Sequence, residues 1–126
     1  YVEYKSSEMS EIDFLERLSD KTACSYLLDL NNIWVNQQNL NTPVEDYLEM
    51  LDWKKVKEIH LAGPEIVNGI YIDTHGTDIY PELLDIINTN KEQIKKVPII
   101  YERDNHLDGL NNLLRQKKII DEALYG

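Results

Sequence analysis

Six side chains of metal-binding type stand at or just after the ends of short apolar runs: Asp29, Asn32, His60, Asp73, His75 and Glu102. The runs are Ser25-Tyr26-Leu27-Leu28-Asp29, Val56-Lys57-Glu58-Ile59-His60, Ile70-Tyr71-Ile72-Asp73-Thr74-His75-Gly76 and Val97-Pro98-Ile99-Ile100-Tyr101-Glu102. Oxygen donors mixed with imidazole, and no thiolate among them, favour iron, manganese or zinc over soft-metal chemistry. Four to six donors fill one ion's coordination sphere, so a set of six leaves room for two or more ions. Asp73 and His75 are two apart, and an extended backbone there would point both the same way. Alone, each element is weak: a strand-end Asp is more often a helix cap, and His60 could equally be a core histidine. Recurrence at successive strand ends turns the balance towards a site.

The elements that must position these residues alternate. Ser10 caps a helix with Ile12, Leu15 and Leu18 on one face. Cys24 to Leu30 reads as a strand stopped by Asn31-Asn32, with Cys24 expected to face the core. Thr42-Pro43-Val44-Glu45 starts a helix, Thr42 as cap and Glu45 closing a capping box. Val56 to Ala62 is the next strand, stopped by Gly63-Pro64. Glu65 to Gly69 reads as a loop into Ile70-Tyr71-Ile72. Pro81 opens a helix whose buried side is Leu83, Leu84, Ile86 and Ile87. Val97 to Tyr101 is the last strand, and Leu107, Leu110, Leu113 and Leu114 begin a final helix to about Leu124.

Strands alternating with helices predict an α/β fold with a parallel sheet. Barrels of this kind keep their chemistry at the carboxyl ends of their strands, and a complete one needs about 250 residues. The chain has 126. The expectation is a single partial domain over residues 1–126, the carboxyl-terminal half of a (β/α)8 TIM barrel. Its open edges and uncovered inner face await an amino-terminal half. The start at Tyr1-Val2-Glu3-Tyr4, without Met, agrees with a piece of a longer chain.

Net charge is −10, from 23 acidic and 13 basic residues. Such a chain repels phosphate backbones, which argues against nucleic-acid binding. The one cysteine excludes an intrachain disulfide and fits a reducing, cytoplasmic setting. No run approaches the roughly 20 apolar residues of a membrane span.

The wording around the ligands is specific. Leu27-Leu28-Asp29-Leu30-Asn31-Asn32, Glu58-Ile59-His60-Leu61-Ala62-Gly63 and Ile72-Asp73-Thr74-His75-Gly76 occur in that order. With the opening from Tyr1 through Ser10-Glu11-Ile12-Asp13-Phe14-Leu15, they resemble the multinuclear non-heme iron-dependent oxidases. That family was long catalogued as an uncharacterised, xylose-isomerase-like TIM-barrel family. The resemblance spans nearly the whole chain.

It implies two or three irons and dioxygen-dependent modification of ribosomally made peptides, commonly at cysteine. It also implies a partner protein that presents the peptide leader. By the motif matches, Asp29, His60 and Glu102 would hold one iron, and Asn32, Asp73 and His75 a second. Asn32 ranks above Asn31 on the family pattern alone. Two histidines and a bridging glutamate would come from the first half of the barrel. Pro64 stands where the family usually has His, and Arg103 where it usually has Trp.

Blander readings cover the rest. His106 sits in a polar turn, and Lys54-Lys55 and Lys95-Lys96 read as solvated charges. Tyr71 and Tyr101 read as packing residues, and Trp34 as core or pocket wall. Two other functions fit the same donors: a divalent-metal isomerase or hydrolase on the same barrel type, and a non-catalytic scaffold.

Overall fold

The computed structural model describes residues 4–126, so Tyr1 and its share of the resemblance lie outside the described residues. The chain folds as helix α1 (Glu11–Thr22), strand β1 (Tyr26–Asp29), helices α2 (Leu30–Leu40) and α3 (Val44–Met50), and strand β2 (Val56–Leu61). A hairpin of β3 (Glu65–Val67) and β4 (Ile70–Ile72) follows. Then come α4 (Pro81–Thr89), the short α5 (Lys91–Ile94), β5 (Ile99–Tyr101) and α6 (Leu110–Tyr125).

Strands β1, β2 and β5 form a parallel sheet in that order, with helices in the connections. This is the mixed α/β architecture expected of half a barrel. A bulge at Lys57 sets its phase: Tyr26 faces Val56, whereas Leu27 faces Glu58. The extra residue brings Val56 onto the side of Ile59 and Leu61, and all three are buried under the helices with Tyr26 and Leu28. Leu27, Asp29, Glu58, His60, Ile100 and Glu102 are left on the other, inner face. Leu27 and Ile100 are exposed there, although parallel sheets are ordinarily covered on both faces.

Three connections differ from the sequence reading. Asn31-Asn32 do not break the chain but lie in the first turn of α2. Asp29 is the N-cap, its carboxylate accepting from Asn32 N at 2.9 Å. A strand can thus pass into a helix with no loop, because the cap satisfies an amide that the turn leaves free. The predicted Thr42 cap is not made. Pro43 occupies the N-cap position, and Gln37 Oε1 takes the Val44 amide at 2.8 Å.

Glu65–Val67 is a strand, not a loop, and β4 pairs with it antiparallel, outside the parallel sheet. Asn68 and Gly69, both at positive φ, form the two-residue turn such hairpins require. The outer edge of β4 is held by one side chain. Asn39 donates to Tyr71 O at 2.7 Å and accepts from Tyr71 N at 3.1 Å, as a neighbouring strand would.

Smaller differences have equally local causes. Cys24 precedes β1 and is exposed, so it does not face the core. Lys55 is not a free charge, since its Nζ lies 2.5 Å from Glu16 and 3.1 Å from Asp20 on α1. Leu107 precedes α6, and Leu110 and Leu114 are exposed; the helix buries Gln116, Ile120 and Leu124 instead. Trp34 is core, edge-on to Tyr71 and Tyr80 at ring distances of 5.0 and 5.4 Å. His106 is mostly exposed, with Nε2 3.4 Å from Glu65.

Candidate metal centre

Register assembles the centre. Asp29 pairs with His60 across β1 and β2, and Glu102 follows directly on β5, its amide donating to Leu61 O at 2.8 Å. These ends lie side by side because parallel strands carry their carboxyl termini to one rim. Asp73 and His75 arrive from the hairpin instead. They converge through a turn rather than an extended run: Thr74 N donates to Ile72 O at 2.9 Å, and His75 has φ 52°. Their side chains still meet, His75 Nε2 lying 3.0 Å from Asp73 Oδ1.

Close packing permits the turn. Gly76 N and Thr77 N both donate to Gly63 O. A Cβ on Gly63 would stand 2.1 Å from Thr77 O and 2.3 Å from Asp78 O. Only glycine lets the end of β2 lie against this loop.

All six predicted residues come together. Glu102 joins the two histidines, with Oε1 3.2 Å from His60 Nδ1 and Oε2 3.3 Å from His75 Nδ1. Donor atoms of Asp29, Asp73 and His75 lie within 4.8 Å of one another. Asn32 donates to Asp73 Oδ2 at 3.4 Å, and Asn31 to Asp73 Oδ1. Asn31 is fully buried, and its Oδ1 has no hydrogen-bond partner.

Two neighbours were not singled out from sequence, Asp104 and Glu58; Asn31 ranks there second to Asn32. Asp104 Oδ2 lies 3.2 Å from His75 Nδ1, and Glu58 Oε1 lies 2.9 Å from His60 Nε2. The signal for Asp104 and Glu58 was a spacing of two from Glu102 and His60. The cap at Asp29 winds both asparagines into a helix, which brings Asn31 as well as Asn32 to Asp73.

The electrostatics favour a cation. Asp29, Asp73, Glu102 and Asp104 face two imidazoles, and among the described residues no Lys or Arg pairs with any of them. Burial pushes the Asp29 carboxyl above its ordinary pKa, against the Asn32 amide and the two histidines. Burial does the same to Asp73, against His75. Desolvated carboxylates of this kind want a compensating positive charge.

His75 Nδ1 is buried and makes no hydrogen bond, though oxygens of Glu102 and Asp104 stand 3.3 and 3.2 Å away. A nitrogen flanked by two out-of-line carboxylates is placed as a metal ligand would be. Donors about 2.1 Å from a shared ion stand about 3 Å apart when cis. The donor set therefore fits a hard or borderline divalent metal.

Several curated proteins are similar to this chain over most of its length. A UPF0276 protein of Psychromonas ingrahamii is 44% identical over 93 residues, covering 71% of this chain and 33% of that protein. A second, from Acaryochloris marina, is 31% identical over 124 residues, covering 98% of this chain and 45% of its own length. A third, from Caulobacter vibrioides, is 33% identical, covering 93% and 43%. The chain thus spans less than half the length of these curated relatives. The family described as RiPP precursor modification enzyme MbnB/TglH/ChrH matches residues 1–125. With nearly its whole length matched, the chain belongs to the MbnB/TglH/ChrH family of RiPP precursor modification enzymes.

Proposed function

We propose that this chain supplies the carboxyl-terminal share of a multinuclear iron centre that oxidises a ribosomally made precursor peptide, at cysteine, with dioxygen. The observation that carries the reading is the buried, hydrogen-bond-free His75 Nδ1 between Glu102 and Asp104, beside Asp29 and Asp73. The family supplies the substrate class, a RiPP precursor. A separate leader-binding protein belongs to the same proposal.

Asp29, Asn32, His60, Asp73, His75 and Glu102 would hold the metal, with Asp104 as a further donor. When bound in such a shell, iron supplies redox chemistry with dioxygen and leaves positions open for substrate. The chain's own residues orient and anchor. Glu102 stands beside both imidazoles, Oε1 near His60 Nδ1 and Oε2 near His75 Nδ1. The Asn32 amide fixes Asp29, and the Asn31 and Asn32 side chains fix Asp73.

The test uses the full-length protein carrying this chain, reconstituted anaerobically with ferrous iron. It is mixed with its precursor peptide and the leader-binding protein, and the peptide is weighed before and after oxygen is admitted. The expected result is an oxygen-dependent mass change confined to a cysteine-containing segment. Full iron loading with no mass change would overturn the reading. Undiminished turnover with zinc would move it to hydrolysis or isomerisation.

A further inference from the structure

We infer that Glu58 is the positioning residue for His60, holding its proton on Nε2 and turning Nδ1 towards Glu102. The inference rests on the metal reading above. Glu58 and His60 are two apart on β2 and share the inner face of the sheet. Register places Glu58 opposite Leu27, one layer beneath the pair Asp29 and His60. An acid beside an exposed leucine has no packing role there, and among the described residues its carboxylate contacts no Lys or Arg. Its one close partner is His60, at 2.9 Å.

The ring has a carboxylate at each nitrogen: Glu58 Oε1 at Nε2, and Glu102 Oε1 at 3.2 Å from Nδ1. An ionised carboxylate only accepts, and a neutral imidazole has a single N–H. The shorter contact takes that proton. Nδ1 and Glu102 Oε1 are then two lone pairs facing each other, an arrangement that a cation between them stabilises. Metal-bound histidines commonly donate their second nitrogen to a carboxylate, which fixes the tautomer and the ring plane. Glu58 is built to do this from within the same strand.

The experiment compares wild type, Glu58→Gln and Glu58→Ala in the full-length protein, with thermal unfolding as the check on folding. Histidine-ring nitrogen–proton correlation spectra of the metal-free protein report the His60 tautomer. Zinc titration, a diamagnetic probe, reports affinity. The expected wild-type tautomer is Nε2–H. Glu58→Ala should mix the tautomers and weaken zinc binding about 10- to 100-fold. Glu58→Gln, which keeps an acceptor, should recover most of both.

A role in packing alone would lower the unfolding temperature and leave tautomer and affinity unchanged, which overturns the inference. So would a wild-type ring protonated at Nδ1. Wild-type protein that shows Nε2–H yet binds no zinc, iron or manganese sinks the metal reading instead. In that case the tautomer still reports what Glu58 does.

Discussion

His75 and Asp104 are joined twice. The Asp104 amide donates to His75 O at 3.0 Å, and Asp104 Oδ2 lies 3.2 Å from His75 Nδ1. The backbone bond fixes the loop after β5 against the turn after β4, so the carboxylate meets the ring without a long search. Asp104→Ala should keep that backbone bond and lose only the oxygen. Iron affinity should fall about 10- to 100-fold, the usual effect of deleting a group that ligates or orients at a metal site. Competition against a chromophoric chelator under argon measures it. Unchanged affinity would remove Asp104 from the centre.

Asp29 has two roles that one pair of substitutions separates. Its carboxylate caps α2 through Asn32 N, and it is also a half-buried acid whose pKa desolvation raises. Asn caps as well as Asp, whereas losing the cap costs about 1 kcal/mol. Asp29→Asn should therefore leave metal-free stability equal or higher, because a desolvated charge disappears, while metal binding collapses. Asp29→Ala should lose both. Chemical unfolding with and without metal distinguishes them, and an Asn variant that unfolds as readily as the Ala variant would contradict the cap.

Much of this was legible in the sequence, for identifiable reasons. The strand ends of β1, β2 and β5 announced their candidate donors because a parallel sheet gathers its carboxyl termini on one rim. Asp73 and His75 were found by residue type, but their geometry was misread. A period of two suggests extended backbone, while a positive φ at His75 does the turning. Helix α2 was hidden because Asn31-Asn32 carry the composition of a loop, and only the Asp29 cap shows they are a first turn. The hairpin was hidden because three-residue strands give too short a pattern to read. Glu58 and Asp104 went unselected because one acid among 23 on so negative a chain carries little signal until a distance is attached to it.

Gly63 is the tightest point between the end of β2 and the loop that carries His75. Its O accepts from Gly76 N at 3.1 Å, and an added Cβ would meet two backbone oxygens that no side-chain rotation can move. Gly63→Ala should destabilise by about 1–3 kcal/mol, the range for overpacking. It should also push the Asp73–His75 turn off the centre, so metal affinity falls even in protein that remains folded. Circular dichroism and metal titration on one preparation read both effects. A variant with wild-type values for each would show that the two segments are not held this close.

Arg103 sits between Glu102 and Asp104 in sequence, and its anchorage sets a pH dependence that can be measured. Its side chain is 8% exposed and reaches Asp78 and Asp108 at 3.4 and 3.1 Å, with Nε donating to Asn105 O at 3.0 Å. Partial burial works to raise the Asp78 pKa. The hydrogen bonds from Arg115 and Asn112 and the charges of Arg115 and Arg103 outweigh it, and hold the carboxyl below its ordinary value. A group depressed in the folded state stabilises above its unfolded pKa, about 3.9. That contribution is lost as pH falls through the folded value. Asp78 is 41% exposed, so the contribution is about 1 kcal/mol or less. Asp78→Asn should thus be less stable than wild type by that amount at pH 7 and pH 5, with the gap closing below about pH 4. Urea unfolding across that range checks it. A gap that persists undiminished at pH 3 would assign the loss to packing rather than to the ionised carboxylate that anchors Arg103.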